Sequence, residues 1–329
     1  MGDYSRSVLS SGYLILHLPN QAAPLTLKQS SFLQDTVYLR CYREGTTMSS
    51  VKVGEGVEIA YSVHRANPPG ITGSSTQDST PFIVLINGLA DSKETWATQV
   101  PAFVAAGYSV LTYDNRGIGA SSRPAGPYTS ELMASDLKAL VTALNVPVPF
   151  HLVGVSMGGM IAQTYALEYP NDIRSVILAC TYAAPGSFCS RMFSVWADIA
   201  RKIDVATTMR DVTLWCFTQE FFAPERQADL EEAEAAMRDI DMSVDAYLSQ
   251  LNVIQVFDTT KQLQKLSRSH VLVLAGEEDI LIPVRLSQTL HELIPGSSWC
   301  KVKGGHGCMW EFPGSFNAAV LRFLKSAEN

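Results

Sequence analysis

Gly154-Val155-Ser156-Met157-Gly158 is a G-x-S-x-G pentapeptide, and together with the residues on either side it decides the fold of this chain. The apolar run 149–153 before it is typical of a strand, and residues 160–167 after it have the spacing of a helix. A turn between glycines can present one serine hydroxyl, and an amide at the helix start can face a developing oxyanion. The pentapeptide therefore predicts a nucleophile elbow at Ser156, although an ordinary strand-to-helix turn could have the same sequence.

One of the six histidines, His306, is placed to act as the base that a serine nucleophile needs. It stands in the glycine-rich stretch 304–307, directly after the alternating segment 298–303. A loop that follows a strand can bring an imidazole to a serine. Four other histidines lie within or beside strand-like runs or in a helical pattern, which favours structural or solvated roles. The chain order nucleophile, acid, base of this architecture also favours His306.

The acid that orients this imidazole is expected after the strand-like run 270–275, where three adjacent carboxylates follow a glycine. Asp279 lies deepest in this turn and precedes the apolar run 280–282, which could shield its bond to the imidazole from water. We therefore assign the acid to Asp279, with Glu278 as the alternative. A solvated acidic turn that caps a helix beginning near Pro283 would give the same pattern.

A second oxyanion donor is expected after an earlier strand, and the apolar run 82–86 leads into Asn87-Gly88-Leu89. Because Gly88 has no side chain, the loop can turn until the amide of Leu89 points at the serine. Taken alone, the Asn-Gly dipeptide also fits an ordinary turn.

Five landmarks that occur in the same order show that the chain resembles the α/β-hydrolase superfamily, in its branch of single-domain esterases, lactonases and perhydrolase-like proteins. They run from about residue 55 to the C-terminus. The landmarks are Asn87-Gly88-Leu89 with Trp96, the stretch 113–121, the stretch 154–159, the turn 276–279 with Pro283, and Gly305-His306 with Glu311 and Pro313.

This resemblance implies an α/β fold with a mostly parallel, doubly wound sheet, and it implies a role for each site residue. Ser156 would be the nucleophile, His306 the base and Asp279 the acid, and the amides of Leu89 and Met157 would form the oxyanion hole. Neither a metal nor an organic cofactor is needed for this chemistry. The turn 114–119 has the look of a structural fixture of the family.

One position departs from the family pattern, because Asn87 stands where the family usually has histidine. An asparagine can still bond to neighbouring backbone, so the loop can survive the exchange, but the preferred substrate is left open. A serine at position 156 disfavours relatives with an aspartate nucleophile, such as epoxide hydrolases and haloalkane dehalogenases.

The chain divides into an N-terminal extension, a core and an inserted cap. Residues 1–50 match nothing in the family and are expected to be partly disordered or to pack outside the sheet. Residues 51–180 and 267–329 should form the α/β core, because strand and helix patterns alternate there. Between them, residues 181–266 have only helical patterns and are expected to form an all-helical cap. The core strands are predicted near 57–63, 81–86, 108–113, 149–154 and 174–180, its helices near 92–106, 130–144 and 157–168, and the cap helices at 191–203, 205–217, 224–242 and 244–257.

The cap offers the one clue to the substrate. It is rich in aromatic side chains that could face a ligand, although most of them could equally join the cap to the core. A medium-sized, mainly apolar ester or lactone is favoured over a charged substrate. The candidate substrate-binding residues are Trp196, Trp215, Phe217 and Phe221.

Composition narrows the class of protein. With 329 residues, 47% of them hydrophobic, the chain can bury a sizeable core, and a net charge of −7 without a long basic run argues against nucleic acid as a partner. The six cysteines form no motif and are expected to be mostly buried, reduced thiols, with Cys308 as an alternative nucleophile. The apolar segment 13–18 is far below the roughly 20 residues of a membrane span. We expect a cytoplasmic protein whose partner is a small-molecule ester or lactone, and a homodimer is compatible with the sequence.

These residues predict a serine hydrolase that cleaves an ester or lactone through an acyl-enzyme, and three alternatives share the scaffold. An acyltransferase would pass the same acyl group to an alcohol or amine. A C–C bond hydrolase, lyase or cyclase would act on a polyketide-like metabolite. A ligand receptor would combine an intact triad with slow turnover under a mobile cap.

Overall fold

The computed structural model describes residues 49–54, 56–66, 80–268 and 270–328 of the chain. Most of the expected N-terminal extension, residues 1–50, lies outside these residues. Ser49 and Ser50 are described, and they begin the first strand of the sheet.

Eight strands form one mixed sheet in the order β1-β2-β4-β3-β5-β6-β7-β8. β1 and β2 pair antiparallel with each other, β2 pairs antiparallel with β4, and all other neighbouring strands are parallel. The predicted α/β architecture with a mostly parallel sheet is therefore confirmed. The strands are β1 Ser49–Gly54, β2 Val57–His64, β3 Phe82–Ile86, β4 Ser109–Tyr113, β5 Phe150–Val155, β6 Ile173–Ala179, β7 His270–Gly276 and β8 Ser298–Val302.

The α-helices connect the strands and cover both faces of the sheet. Within the described part of the chain, the residues between β6 and β7 contain four of these helices and no strand. No helix in that part of the chain has both the length and the apolar character of a membrane span. The helices are α1 Gln99–Ala105, α2 Ser130–Ala143, α3 Met157–Glu168, α4 Gly186–Lys202, α5 Val205–Cys216, α6 Gln227–Arg238, α7 Val244–Val256, α8 Val284–Leu293, α9 Cys308–Glu311 and α10 Pro313–Ser326.

The core lies on both faces of the sheet because side chains alternate along each strand. Ile83 and Leu85 of β3 pack in one cluster with side chains of α1 and α10. Val84 and Ile86 pack in the opposite cluster with side chains of α2 and α3. All five residues of β3 are buried, which explains why this strand is a continuous apolar run and not an alternating one.

Three predicted helices differ from the structure, and one of them, the cap helix predicted at 191–203, begins five residues earlier, at Gly186. The helix expected near 92–106 is split into a short 3-10 turn, Lys93–Trp96, and α1. Pro101 is one reason, because proline has no amide hydrogen and is tolerated only in the first turn of a helix, so α1 begins at Gln99. The helix expected at 224–242 begins with a 3-10 turn at Pro224–Arg226 and then continues as α6.

The parallel strands bring the four candidate loops to one edge of the sheet. β3, β5, β7 and β8 all run in the same direction, so their carboxyl ends lie together. Asn87 follows β3, Ser156 follows β5, Asp279 lies in the loop after β7 and His306 in the loop after β8. In open α/β sheets this edge is where ligands bind.

Candidate active site

Ser156 lies in the turn between β5 and α3 with a backbone that a non-glycine residue rarely adopts. Its φ is +55° and its ψ is −119°. Its amide donates to the carbonyl of Ala179 at 2.9 Å, and its carbonyl accepts from the amide of Gly159 at 2.9 Å. A Cβ on Gly158 would collide with the backbone carbonyl of Ile86, which explains the glycine that follows the serine in the pentapeptide. The strained turn places Ser156 directly after the carboxyl end of β5, which is the position predicted for a nucleophile elbow.

His306 and Asp279 are joined by a hydrogen bond of 2.8 Å between Nδ1 of the imidazole and Oδ2 of the carboxylate. Both side chains are almost fully buried, at 7% and 3% exposure. The second oxygen of Asp279 accepts from the amide of Ile282 at 2.9 Å. Burial alone would lower the pKa of His306, but the charge and the hydrogen bond of Asp279 outweigh burial and raise it. The fallback acid, Glu278, is exposed to solvent.

The loop that holds His306 is tied to the end of α5 by the buried carboxylate of Glu311. One oxygen of Glu311 accepts from the amide of Gly305 at 2.8 Å, and the other accepts from the amide and the hydroxyl of Thr218 at 3.2 and 2.6 Å. The amide of Gly307 also donates to the carbonyl of Cys216 at 2.8 Å. The inserted helices thus help to set the position of His306, a role that the sequence did not reveal for Glu311.

The loop after β3 is anchored to the core by the side chain of Asn87. The side-chain amide of Asn87 donates to the carbonyls of Asp91 and Tyr113 at 3.0 and 3.1 Å, and its oxygen accepts from the indole of Trp96. The same loop is anchored to an inserted helix, because the amide of Ala90 donates to the side chain of Gln250 in α7 at 3.0 Å. The loop is therefore fixed on both sides. Leu89 lies between these two anchored residues.

One cavity brings the reactive groups together. Ser156 and His306 line it, together with Leu89. The carboxyl group of Asp91 also lies in its wall. Met157, the other predicted oxyanion donor, is the first residue of α3, so its amide lies at a helix start. The remaining lining residues are mostly apolar and come in large part from the inserted helices. They are Gly88, Val155, Met160, Phe193, Trp196, Met209, Val212, Cys216, Met237, Ile254, Leu281, Ile282 and Trp310.

The four predicted substrate-binding residues do not share this cavity. Trp196 lines it, whereas Trp215, Phe217 and Phe221 do not. The rings of Phe217 and Phe221 stack at 4.2 Å, and Phe217 meets Trp310 edge-on at 6.1 Å. Trp215 meets Phe188 edge-on at 6.2 Å and donates to the carboxylate of Asp211 at 3.1 Å. These contacts are made outside the cavity. They pack behind the wall and do not form it.

Cys180 lies close to the imidazole of His306, and neither Cys180 nor Cys308 belongs to the cavity wall. Their sulfur atoms are 3.7 Å apart and both residues are buried, so Cys308 is not exposed to a ligand in the cavity as Ser156 is. The five described cysteines are unpaired, and Cys41 lies outside the described residues.

The ligand atoms of Cys180, Asp279 and His306 lie within 4.8 Å of one another, which is close enough for a metal site. However, Asp279 and His306 already bond to each other. The contact with Cys308 and burial raise the pKa of the Cys180 thiol well above its usual value. Because metal binding needs a thiolate, these residues suit a carboxylate–imidazole pair better than a metal centre.

Two residues of the site were missed from the sequence. Asp91 follows Leu89 by two positions, and that proximity is the one signal that could have pointed to it. Gln250 gives no local signal at all, because it contacts the loop from a helix 160 positions later in the chain.

Comparisons with known proteins match this fold. The family model described as "alpha/beta hydrolase fold" matches residues 81–313. The "3-oxoadipate enol-lactonase 2" of Acinetobacter baylyi is 30% identical over 250 residues, which cover 76% of this chain and 90% of the relative. The "Putative carbamate hydrolase RutD" of Caulobacter segnis is 27% identical over 248 residues, covering 74% of this chain and 91% of the relative.

Solved structures show the same fold. The crystal structure of the enol-lactonase from Burkholderia xenovorans LB400 superposes with a TM-score of 0.74 at 24% identity, covering 84% of this chain and all of the other. A bromoperoxidase from Bacillus anthracis superposes with a TM-score of 0.72 at 26% identity, covering 85% of this chain and 100% of the other.

Proposed function

This chain belongs to the α/β-hydrolase family, and from that premise we propose that it is a serine hydrolase that cleaves an ester or lactone bond of a medium-sized, mainly apolar small molecule. Ser156 is the nucleophile, His306 the base and Asp279 the acid that orients the base. The similarity to a curated enol-lactonase supports the lactone arm of this proposal.

The observation that supports this function best is the sharing of one cavity by Ser156 and His306. The imidazole uses Nδ1 for its bond to Asp279, so Nε2 is left for the serine hydroxyl. With Ser156 as the nucleophile, His306 serves as the base and Asp279 as the orienting acid, which are the three roles that covalent catalysis requires.

The proposed reaction has two halves. Nε2 of His306 takes the proton of the Ser156 hydroxyl while Oγ attacks the carbonyl carbon, and the resulting oxyanion accepts from the amides of Leu89 and Met157. His306 then gives the proton to the departing alcohol oxygen, and an acyl-enzyme remains. In the second half, His306 takes a proton from water, the hydroxide attacks the acyl carbon, and the acid leaves as Ser156 regains its proton.

The wall of the cavity supports an apolar substrate. Phe193, Trp196, Met209 and Val212 come from α4 and α5 and provide hydrocarbon surface close to Ser156. We propose that residues 181–266 act as the cap that closes over the acyl group. An apolar, partly enclosed pocket binds by removing apolar surface from water.

A panel of aryl esters, lactones and carbamates tests this function. Ser156→Ala should lower kcat/KM for the hydrolysed members by a factor of at least about 10³ while the folded structure is retained. Ser190→Ala is the matched control, because Ser190 lies exposed on α4 and bonds to the carbonyl of Gly186. Undiminished turnover by Ser156→Ala would contradict the proposal.

A further inference from the structure

A carboxyl group that the proposed reaction does not use, that of Asp91, lies in the wall of the reaction cavity. Its Oδ2 lies 2.7 Å from the position that a Cβ on Gly88 would occupy, and Cβ of Ser156 lies 3.5 Å from the same position. Asp91 and Ser156 therefore both lie close to Gly88. This glycine belongs to the loop 87–91, which we call the oxyanion loop because it contains the proposed donor Leu89. The Asp91 residue is partly exposed, and it lines the cavity.

Within the described part of the chain, no lysine or arginine side chain lies against Asp91. Two titratable groups face it: the imidazole of His306 from the loop after β8, and the thiol of Cys216 from the end of α5. His306 is already bonded to Asp279. Burial raises the pKa of the Cys216 thiol well above its usual value, so this group is neutral. The amide of Gly88 also donates to Asp91.

The rest of the cavity wall has little capacity to screen a charge. Among the described residues that line it there is no lysine and no arginine, and most are apolar. In such surroundings, charges interact more strongly than in water. A ligand carboxylate that entered this cavity would therefore lie near a carboxyl group, with no basic side chain to receive it other than His306.

We propose that Asp91 selects substrates by charge, so that the site excludes esters and lactones with a carboxylate and accepts uncharged ones. This inference rests on the proposed function, because it concerns the substrates of the same cavity. The selecting group lies beside the nucleophile and does not belong to the inserted helices, so it acts on any substrate that reaches Ser156.

The selection depends on pH because Asp91 must be ionised to repel an anion. Burial raises the pKa of Asp91 to about 7, against smaller lowering effects of His306 and the Gly88 amide. Below that pH the carboxyl group is neutral and tolerates a neighbouring carboxylate, and above it the group repels one. The proton requirement of His306 is common to all substrates of the reaction and cancels when two substrates are compared.

Two esters that differ in one charge test the inference. Methyl 4-nitrophenyl adipate is neutral, whereas mono-4-nitrophenyl adipate has a free carboxylate at the same distance from the aryl ester. The ratio of their kcat/KM values, neutral over anionic, should rise by on the order of tenfold between about pH 5.5 and about pH 9 for the unmodified protein. For Asp91→Asn, which has nearly the same shape without the charge, the ratio should be low and independent of pH.

Asp198→Asn is the matched control, because it removes an exposed carboxylate of α4 that pairs with Lys202 on the same helix. This variant should retain the rise of the ratio. A ratio that does not change with pH in the unmodified protein, or that rises equally in Asp91→Asn, would overturn the selection while leaving the hydrolase function intact. If neither ester is hydrolysed, the proposed function fails, and the selection fails with it.

Discussion

At the scale of single residues, Asn87 shows why the loop does not need the histidine that is usual in the family. A side-chain amide offers two N–H donors and one carbonyl acceptor, whereas an imidazole offers only two ring nitrogens. Asn87 uses both donors and the acceptor, toward the carbonyls of Asp91 and Tyr113 and the indole of Trp96. The exchange therefore leaves the loop after β3 anchored by three side-chain hydrogen bonds.

The pH dependence of the reaction should follow the imidazole of His306. The base must be neutral to accept a proton, so kcat/KM for a neutral ester should rise with pH as His306 loses its proton. Because Asp279 raises the pKa of His306, the midpoint of this rise should lie above the ordinary histidine value of about 6.5. A pH–rate profile of kcat/KM measures this midpoint.

Asp279→Asn provides the complementary measurement. Without the carboxylate, the pKa of His306 should fall and the rise should move to lower pH, while the plateau of kcat/KM drops by about 10³- to 10⁴-fold. A midpoint that stays in place in this variant would show that Asp279 does not act on the imidazole.

At the scale of elements, α7 is connected to the oxyanion loop through one buried side chain. Gln250 accepts from the amide of Ala90 at 3.0 Å and donates to the carbonyl of Arg116 at 2.8 Å. Ala90 has a φ of +59°, so its conformation also depends on its neighbours. Gln250 thus connects an inserted helix to the residue that directly follows Leu89.

Gln250→Leu should disturb the oxyanion loop without changing the volume of the side chain much. It leaves the amide of Ala90 and the carbonyl of Arg116 unpaired, at a cost of about 1–3 kcal/mol each in the free energy of unfolding. We expect the loss of these bonds to shift the Leu89 amide from the position in which it would stabilise the transition state. As a result, kcat should fall about tenfold or more while KM changes little. Urea unfolding and steady-state kinetics measure the two effects.

Gln288→Leu is the control for this variant, since Gln288 is exposed on α8 and bonds to Glu292 one turn later. It should leave both quantities unchanged. If Gln250→Leu had the same kcat and KM as the unmodified protein, the contact with α7 would not affect the function of the oxyanion loop.

The strands were easier to predict than the faces of the inserted helices. β3 is an uninterrupted apolar run, as burial on both faces requires, and β5 is fully buried with His151 as its one polar side chain. An inserted helix, in contrast, packs against the core, against its neighbours and around the cavity. Trp196 and Trp215 both donate to the carboxylate of Asp211, yet only Trp196 reaches the cavity. Composition alone does not say which of these surfaces an aromatic ring joins.

At the scale of the whole molecule, the order of motifs predicted which loops would meet. Parallel strands end at the same edge, so a serine, an acid and a histidine after β5, β7 and β8 converge wherever the sheet forms. The positions of Asp91 and Gln250 in the site could not be predicted this way. They depend on packing between the oxyanion loop and a helix far along the chain, and no periodicity in the sequence records such a contact.

The stability of the protein should also depend on Asp91. Its pKa in the folded state is about 7, above the unfolded value of about 3.8, so the folded state holds an extra proton between these values. Stability contributed by this proton is lost as pH rises through the window. Asp91→Asn should therefore stabilise the protein by about 2 kcal/mol more at about pH 8 than at about pH 5.

Urea unfolding of both proteins at the two pH values measures this difference. His306 contributes in both proteins, with stability that is lost as pH rises through its raised pKa, and comparison at equal pH largely removes it. If the substitution changed the free energy of unfolding equally at both pH values, the pKa of Asp91 would not be raised in the folded protein.

The most direct test of the account is the site of covalent labelling by a fluorophosphonate, which bonds to an activated serine oxygen with loss of fluoride. Peptide mass spectrometry should find the label on Ser156, and Ser156→Ala should take up none while Ser190→Ala is labelled normally. A folded protein that remains unlabelled at Ser156, or that takes up the label elsewhere with Ser156 untouched, would contradict the assignment of Ser156 as the nucleophile.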